Sequence, residues 1–246
     1  MKKLVAYLTS AYPDKNFTTD LALSMSENGV DSIELGVPFS DPVADGPVIE
    51  KANHLSLENG FTFSDLIDIS AQIATKVDTL WMGYMNPFYH RGMTNTIEKA
   101  SSLGVSGMII PDLPHEETLV YADILAKNSV DAISFVAPTD SHERIKTITK
   151  DAKKFIYLVA YAGITGSGQS EDLAKTIDSI RQSTSTPVYV GFGVNEQTAK
   201  EKIKGADGVI VGSAFVDVLL KENLTNTQKI DIISSKAKRI KETINS

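Results

Sequence analysis

The feature that most limits the fold is a regular alternation of apolar, β-branched runs with segments of helical periodicity. Continuous apolar strands separated by helices are typical of a parallel sheet that is covered on both faces. The predicted strands are Leu4–Thr9, Asp31–Leu35, Leu80–Tyr84, Gly107–Ile110, Ala132–Val136, Phe155–Ala160, Val188–Gly191 and Gly208–Val211. The predicted helices are Asn16–Asn28, Thr62–Thr75, Thr94–Leu103, Glu116–Asn128, Glu143–Asp151, Glu171–Gln182, Glu196–Lys204, Ala214–Leu220 and a last one from about Asn226.

Eight strand–helix units predict a closed (β/α)8 (TIM) barrel, with an open doubly wound sheet as the alternative. The 246 residues match the size of one such barrel, so we expect a single α/β domain over residues 1–246 with extra helical segments. Gly29, Gly104 and Gly205 lie just past predicted helix ends, where glycine commonly stops a helix.

Unequal spacing of the strands predicts which face is functional. The second and third strands begin about 49 residues apart and the sixth and seventh about 33, whereas the others begin 20 to 27 apart. The extra length follows the carboxyl ends of strands, where barrel enzymes build their sites. We therefore expect a catalytic loop and a lid on one rim.

Composition excludes several classes of function. With 24 basic and 31 acidic residues the net charge is −7, and the basic residues are scattered, so we expect no nucleic acid partner. Cysteine is absent, which excludes disulfides and thiol chemistry, and the four histidines show no ligand spacing, so we expect no metal site. No apolar stretch approaches the length that spans a membrane, and the first apolar run is too short for a signal peptide. These features predict a soluble cytoplasmic protein.

Glu34 is the strongest candidate for catalysis. Side chains alternate along a strand, so Glu34 faces away from Ile33 and Leu35 and into the barrel if those two pack under helices. Burial there raises the pKa of a carboxyl group toward neutrality, which suits a residue that both gives and takes protons. The alternative is a structural Glu paired with Lys or Arg. No basic residue faces inward on a predicted strand, and this favours catalysis.

The loop after this strand carries Asp41 and Asp45 among several glycines and prolines, which predicts a defined backbone that holds acids in place. Turn chemistry explains Asp45 before Gly46 equally well. The second long loop, residues 161–170, is rich in small residues and predicts a mobile lid, with a flexible surface loop as the alternative.

Two glycine turns follow the last two strands and predict a phosphate site. One is Gly191-Phe192-Gly193 and the other begins at Gly212-Ser213, each opening into a predicted helix. Glycines let backbone amides approach an anion, and a helix N-terminus adds unpaired N–H groups. The alternative is that these glycines only let helix and strand pack closely.

Six short segments occur in order over nearly the whole chain: ELGVPFSDPVADGP from Glu34, MGYMNP from Met82, PDLPHEE from Pro111, GITG from Gly163, GFGV from Gly191 and VGSA from Val211. Together they closely resemble the tryptophan synthase alpha subunit. The resemblance implies a barrel that cleaves indole-3-glycerol phosphate into indole and glyceraldehyde 3-phosphate, without a cofactor in this chain. It also implies an alpha2beta2 complex with a beta subunit that uses pyridoxal phosphate to join the indole to serine.

By the same resemblance, site roles fall on residues that match the family motifs. Glu34 matches the general acid/base, Asp45 the carboxylate that holds the indole N–H, and Thr165 the lid residue that contacts it. Gly166, Gly193, Gly212 and Ser213 match phosphate ligands, while Tyr7, Met82, Tyr84 and Tyr157 match the pocket lining.

The chain departs from the family pattern at a few positions and leaves two other readings open. Ala11-Tyr12 stand where Gly-Asp is usual, Tyr7 where Phe is common, and Ala160-Tyr161 replace a frequent pair in the lid. The alternatives are another phosphate-binding barrel lyase or isomerase, and a non-catalytic regulatory subunit. The stiff, proline-containing segments Pro38–Ile49 and Pro111–Glu117 are the predicted docking surface for the beta subunit.

Overall fold

A computed structural model describes residues 1–159 and 169–246, with only the backbone described for residues 169–172. The strands are β1 (Lys3–Thr9), β2 (Ser32–Gly36), β3 (Asp78–Met82), β4 (Gly107–Ile109), β5 (Asp131–Ala132), β6 (Ser134–Val136), β7 (Ile156–Val159), β8 (Val188–Gly191) and β9 (Gly208–Val211). The helices are α1 (Lys15–Glu27), α2 (Pro47–Glu58), α3 (Phe63–Ile73), α4 (Met85–His90), α5 (Met93–Leu103), α6 (His115–Thr118), α7 (Ala122–Lys127), α8 (His142–Thr149), α9 (Gln169–Ser183), α10 (Ala199–Lys202), α11 (Ser213–Leu219) and α12 (Asn226–Ile244), with a 3-10 turn at Leu119–Tyr121.

The strands form one parallel sheet in the order β5-β4-β3-β2-β1-β9-β8-β7-β6. The predicted fifth strand is two short strands, because the ladder breaks at Ile133. Its first part, β5, pairs with β4, and its second part, β6, pairs with β7. Consecutive residues therefore join the two ends of the sheet and close the ring. The barrel prediction is confirmed, and the open doubly wound sheet is not.

Two helices, α2 and α4, lie in segments for which the sequence predicts no helix. The long connection after β2 contains α2, which begins at Pro47 directly after Gly46. Proline is well tolerated in the first helical turn, where its missing N–H would have no acceptor. The second unexpected helix is α4. The predicted long loop between β2 and β3 is therefore much shorter than expected, and Asp45 lies just ahead of a helix.

Two predicted helices are also shorter than expected. The predicted helix Glu116–Asn128 is broken by the 3-10 turn into α6 and α7. Near β8, the Asn195 Oδ1 accepts from the backbone N–H of Gln197 and Thr198, which forms a turn and delays the start of α10. The three predicted stop glycines, Gly29, Gly104 and Gly205, all have positive φ, as expected at helix ends.

The alternation of β2 is as predicted. Ile33 and Leu35 are fully buried in the hydrophobic core, while Glu34 faces the central cavity. At the opposite end of the barrel, Asp78 accepts hydrogen bonds from Ser32, Ser106 and Lys154, which start three other strands or lie just before them. These hydrogen bonds fill that end of the barrel with polar groups, so the candidate site lies at the other end, where the strands have their carboxyl ends. Within the described residues no helix is both long and apolar enough to cross a membrane.

Candidate active site

A cavity of about 610 Å³ opens at the carboxyl ends of the strands. Strand residues that line it are Glu34, Met82, Ile109, Phe135, Tyr157 and Val159, and loop residues are Val43, Ala44, Asp45, Gly46, Pro111 and Phe192. Most of these side chains are apolar, and the only two titratable carboxyl groups among them are Glu34 and Asp45. The cavity therefore combines an apolar wall with two acids.

Glu34 is 2% exposed, and its Oε2 has no hydrogen-bond partner among the described residues. Burial, reinforced by the nearby charge of Asp45, raises the pKa of Glu34 to about 8. None of the ion pairs found among the described residues involves Glu34, so the structural alternative of a paired Glu finds no support there. A carboxyl group with this pKa carries its proton at neutral pH and can donate it.

Asp45 is held by hydrogen bonds rather than by its turn alone. The Tyr84 hydroxyl donates to Asp45 Oδ2 at 3.1 Å, and the Asn53 amide lies 3.5 Å from the same oxygen. The Tyr84 oxygen also accepts from the backbone N–H of Ala44 at 2.9 Å, which fixes the loop next to Asp45. Burial raises the pKa of Asp45 to about 6, and the two donors oppose that rise. Asp45 is therefore ionised at neutral pH.

The two carboxyl groups have pKa values on opposite sides of neutrality, although they share one cavity. Such a separation would let the protonated group act as an acid and the ionised group stabilise a positive charge. Aromatic side chains continue the wall beside them: the Tyr157 ring stacks on Phe135 at 5.0 Å and meets the edge of Phe192 at 6.2 Å. The cavity can thus hold a flat apolar ring with an acid near it.

The four residues expected to line the pocket take three different positions. Met82 and Tyr157 line the cavity, whereas Tyr84 lies behind Asp45 and holds it. Tyr7 is 3% exposed and is not among the residues that line the cavity; its hydroxyl lies against Gly36, the last residue of β2. A Cβ at Gly36 would lie 2.2 Å from the Tyr7 hydroxyl, so only glycine leaves room for this phenol.

The two glycine turns lie side by side, as the phosphate prediction requires. Gly193 and Ser213 line one groove of about 380 Å³, and Gly212 precedes the first turn of α11. Phe192 and Gly193 have φ of 70° and 68°, a left-handed backbone that presses Phe192 toward the cavity. The first N–H groups of a helix have no acceptor within it and remain free for an anion. Thr165 and Gly166, with the rest of the predicted lid, lie outside the described residues.

Sequence reasoning missed three residues of the site. Asn53 lies on α2, the helix that was not predicted, so nothing in the local pattern indicated that its amide reaches Asp45. Phe135 lies on a predicted strand, but the sequence does not predict whether its side chain points into the barrel. Phe192 could have been found, because it stands between the two glycines of the predicted phosphate turn.

The histidines are placed as predicted at or near the surface, where His54, His90 and His142 are exposed and His115 is half-buried. Over the described part of the chain, no three His, Asp or Glu side chains lie close enough together to hold a metal ion.

Fold and site together define an enzyme of the (β/α)8-barrel class, with two carboxyl groups in a largely apolar cavity at the carboxyl ends of its strands. The family model for the tryptophan synthase alpha chain matches residues 1–245. The chain belongs to this family. It has the lyase function of an alpha chain in tryptophan biosynthesis and works with a beta subunit, and neither alternative reading is favoured.

Individual relatives agree over the full length. The tryptophan synthase alpha chain of Wolinella succinogenes is 60% identical over 247 aligned residues, covering 100% of this chain and 97% of its own. The solved tryptophan synthase subunit alpha from Campylobacter jejuni is 34% identical with a TM-score of 0.87, covering 97% of this chain and 95% of its own. A structure of Mycobacterium tuberculosis tryptophan synthase is 28% identical with a TM-score of 0.90, covering 100% and 93%.

Proposed function

We propose that this chain cleaves indole-3-glycerol phosphate with Glu34 as the general acid and base and Asp45 as the group that holds the indole N–H. One observation supports the assignment above the others: a protonated and an ionised carboxyl group share one largely apolar cavity. The indole ring fits the apolar wall formed by Met82, Phe135 and Tyr157.

In the first step Glu34 gives its proton to the indole ring carbon that carries the glycerol chain. Positive charge then develops on the ring nitrogen, and the Asp45 carboxylate stabilises it through the N–H. Glu34, now ionised, takes the proton of the glycerol hydroxyl next to the ring. The carbon–carbon bond breaks, its electron pair restores the aromatic ring, and indole and glyceraldehyde 3-phosphate form. Glu34 ends protonated, ready for another cycle.

The phosphate group belongs, in this proposal, over the turns formed by Gly193, Gly212 and Ser213. The two turns share a groove, and α11 starts directly under one of them. Gly166 and Thr165 are proposed as a further phosphate ligand and as the lid residue that meets Asp45, on the family resemblance alone. Tyr7, Met82, Tyr84 and Tyr157 complete the proposed substrate site.

We also propose that the chain, a single barrel domain, forms an alpha2beta2 complex in the cytoplasm with a beta subunit that carries pyridoxal phosphate. The route above needs no cofactor in this chain. Indole is small and apolar, so releasing it at the mouth of a second active site avoids its loss by diffusion.

The test is indole release from indole-3-glycerol phosphate by wild type and Glu34→Gln. The amide keeps the shape but transfers no proton, so we expect at least about a hundredfold loss of kcat while the substrate still binds. Glu98→Gln, an exposed position on α5, is the matched control and should retain wild-type kcat. If Glu34→Gln keeps more than about a hundredth of the wild-type rate, Glu34 is not the acid/base.

A further inference from the structure

We propose that the Tyr7 hydroxyl is a positioning group for the carboxyl pair, a neutral hydrogen-bond donor that keeps Asp45 ionised beside protonated Glu34. The inference rests on the proposed function and deepens it, since it assigns a role in the acid–base step to a residue expected only to line the pocket.

The backbone places Tyr7 beside Glu34. The two residues are direct neighbours in the parallel pairing of β1 with β2. The phenol extends along the strand direction, because its oxygen lies against Gly36, two residues beyond Glu34 and on the same face of β2. The hydroxyl is therefore displaced from Glu34 toward the barrel mouth, which is where the loop carries Asp45.

The electrostatic surroundings of Tyr7 point to the same partner. Burial raises the pKa of Tyr7 well above its ordinary value, and Asp45 is the charge that raises it most, ahead of Glu34. The Thr9 side chain opposes this rise, as expected if its hydroxyl donates a hydrogen bond to the phenol oxygen and leaves the phenol hydrogen for another acceptor. The phenol consequently keeps its proton over the whole working range of pH. A phenol in this state adds no charge to the cavity and can donate its hydrogen to a carboxylate.

Asp45 has one oxygen available for this donor. Both hydrogen bonds that described side chains donate to it, from Tyr84 and Asn53, end on Oδ2. Oδ1 is left to accept from Tyr7 through one bridging water. The other titratable groups that act on this part of the cavity are Glu34 on β2, Tyr157 on β7 and Glu50 on α2. None of these is a cation, so hydroxyl and amide donors are what stabilise the Asp45 charge.

The test removes one oxygen atom. Tyr7→Phe should move the acid limb of the pH profile of kcat/KM upward by about one pH unit, because a hydrogen bond to a charged group is worth about that much. Below the limb, kcat/KM then falls roughly tenfold relative to wild type. Tyr189→Phe is the matched control: its ring stacks on Phe155 at 4.4 Å near the other end of the barrel, and the charges acting on it are Asp31, Asp78 and Asp207. We expect the control to keep the wild-type profile.

A tyrosine that only fills space gives a different result. In that case Tyr7→Phe changes the melting temperature and leaves the acid limb where it is in wild type, which overturns the proposal. A carbon-13 NMR titration of labelled aspartate, with Asp45 assigned from Asp45→Asn, measures the pKa of Asp45 without any turnover. An upward shift in Tyr7→Phe supports the inference even if no indole is released, and no shift defeats it even if the lyase assignment stands.

Discussion

At the scale of single residues, the site depends on burial that acts unequally on two acids. Glu34 has no donor on Oε2 among the described residues, while Asp45 receives two hydrogen bonds on Oδ2. Desolvation disfavours both carboxylates, and only Asp45 is compensated by donors. Fuller burial and the charge of Asp45 keep the proton on Glu34 at neutral pH, while the two donors help to keep Asp45 ionised.

The pH dependence of catalysis follows from this difference. We expect kcat/KM for indole release to be bell-shaped, falling below a pKa of about 6 as Asp45 gains a proton and above about 8 as Glu34 loses one. Circular dichroism over the same pH range checks that the protein stays folded. A flat profile between these values in folded protein would contradict the assignment of the two groups.

At the scale of elements, local pattern was sufficient for the strands and insufficient for two helices. All eight predicted strands are present with described ends shifted by at most two residues, because period and β-branched content are local properties. Both missed helices have a proline near their start, Pro47 in α2 and Pro87 in α4, and proline suits a turn as well as the first turn of a helix. The break at Ile133 depends on closing the ring, which no local pattern encodes.

The same limit applies to the site. The position of Glu34 could be predicted because strand alternation fixes its direction, and the positions of Gly193 and Gly212 because they lie just past the ends of β8 and β9. The hydrogen bonds from Asn53 and Tyr84 to Asp45 could not be predicted. They depend on how α2 and the residues after β3 meet across the barrel mouth.

The turn into α11 gives a prediction at this scale. A Cβ at Gly212 would lie 3.2 Å from Ile49 Cδ1 and 3.5 Å from Tyr7 Cβ, contacts that small shifts can absorb, and circular dichroism checks that the larger valine variant folds. We expect Gly212→Val to raise KM for indole-3-glycerol phosphate about tenfold or more, because the side chain blocks the backbone approach to phosphate. Inhibition by inorganic phosphate should weaken in parallel, while inhibition by indole, which has no phosphate, serves as the control. Equal weakening of both ligands would place the effect outside the phosphate turns.

At the scale of the whole molecule, hydrogen bonds to Asp78 join several strands at the end of the barrel opposite the cavity. Burial by itself would raise the pKa of Asp78, but hydrogen bonds from Ser106, Ser32 and Lys154 outweigh it and the pKa is lowered. Lys154 precedes β7, so its ion pair with Asp78 at 2.9 Å spans strands that are not neighbours. The network therefore fixes the shape of the ring as well as satisfying a buried acid.

Because of this network, the free energy of unfolding should depend on pH. A lowered folded pKa means that the contribution of Asp78 is present above its unfolded pKa of about 4 and is lost as pH falls through the folded value. Urea unfolding should show Asp78→Asn less stable than wild type by about 1–2 kcal/mol at pH 7, with the difference shrinking toward pH 3. Asp68→Asn, which breaks an exposed pair with Lys15, should destabilise the protein much less, because solvent screens the pair. A difference for Asp78→Asn that is independent of pH would contradict the argument.

Partnership is tested by titrating beta subunit into the indole-release assay. We expect weak activity alone and stimulation on binding, and by linkage a ligand in the alpha site should tighten the complex by the same factor that the partner tightens ligand binding. Val120 is 73% exposed next to the predicted docking segment Pro111–Glu117. Val120→Asp should therefore weaken the complex, whereas Ile232→Asp on α12 should not. A flat rate, with no complex in sedimentation at micromolar concentrations, would defeat this prediction.

The hydroxyl of Tyr84 has a consequence that reaches beyond the cavity. It accepts from the Ala44 N–H and donates to Asp45, so it clamps two successive residues of one loop. Val43, the next residue back along the chain, is 85% exposed. A partner that contacts Val43 would therefore act on a loop whose next two residues are both bonded to Tyr84. We expect such a contact to change the position of the Asp45 carboxylate, although the partner itself stays outside the barrel.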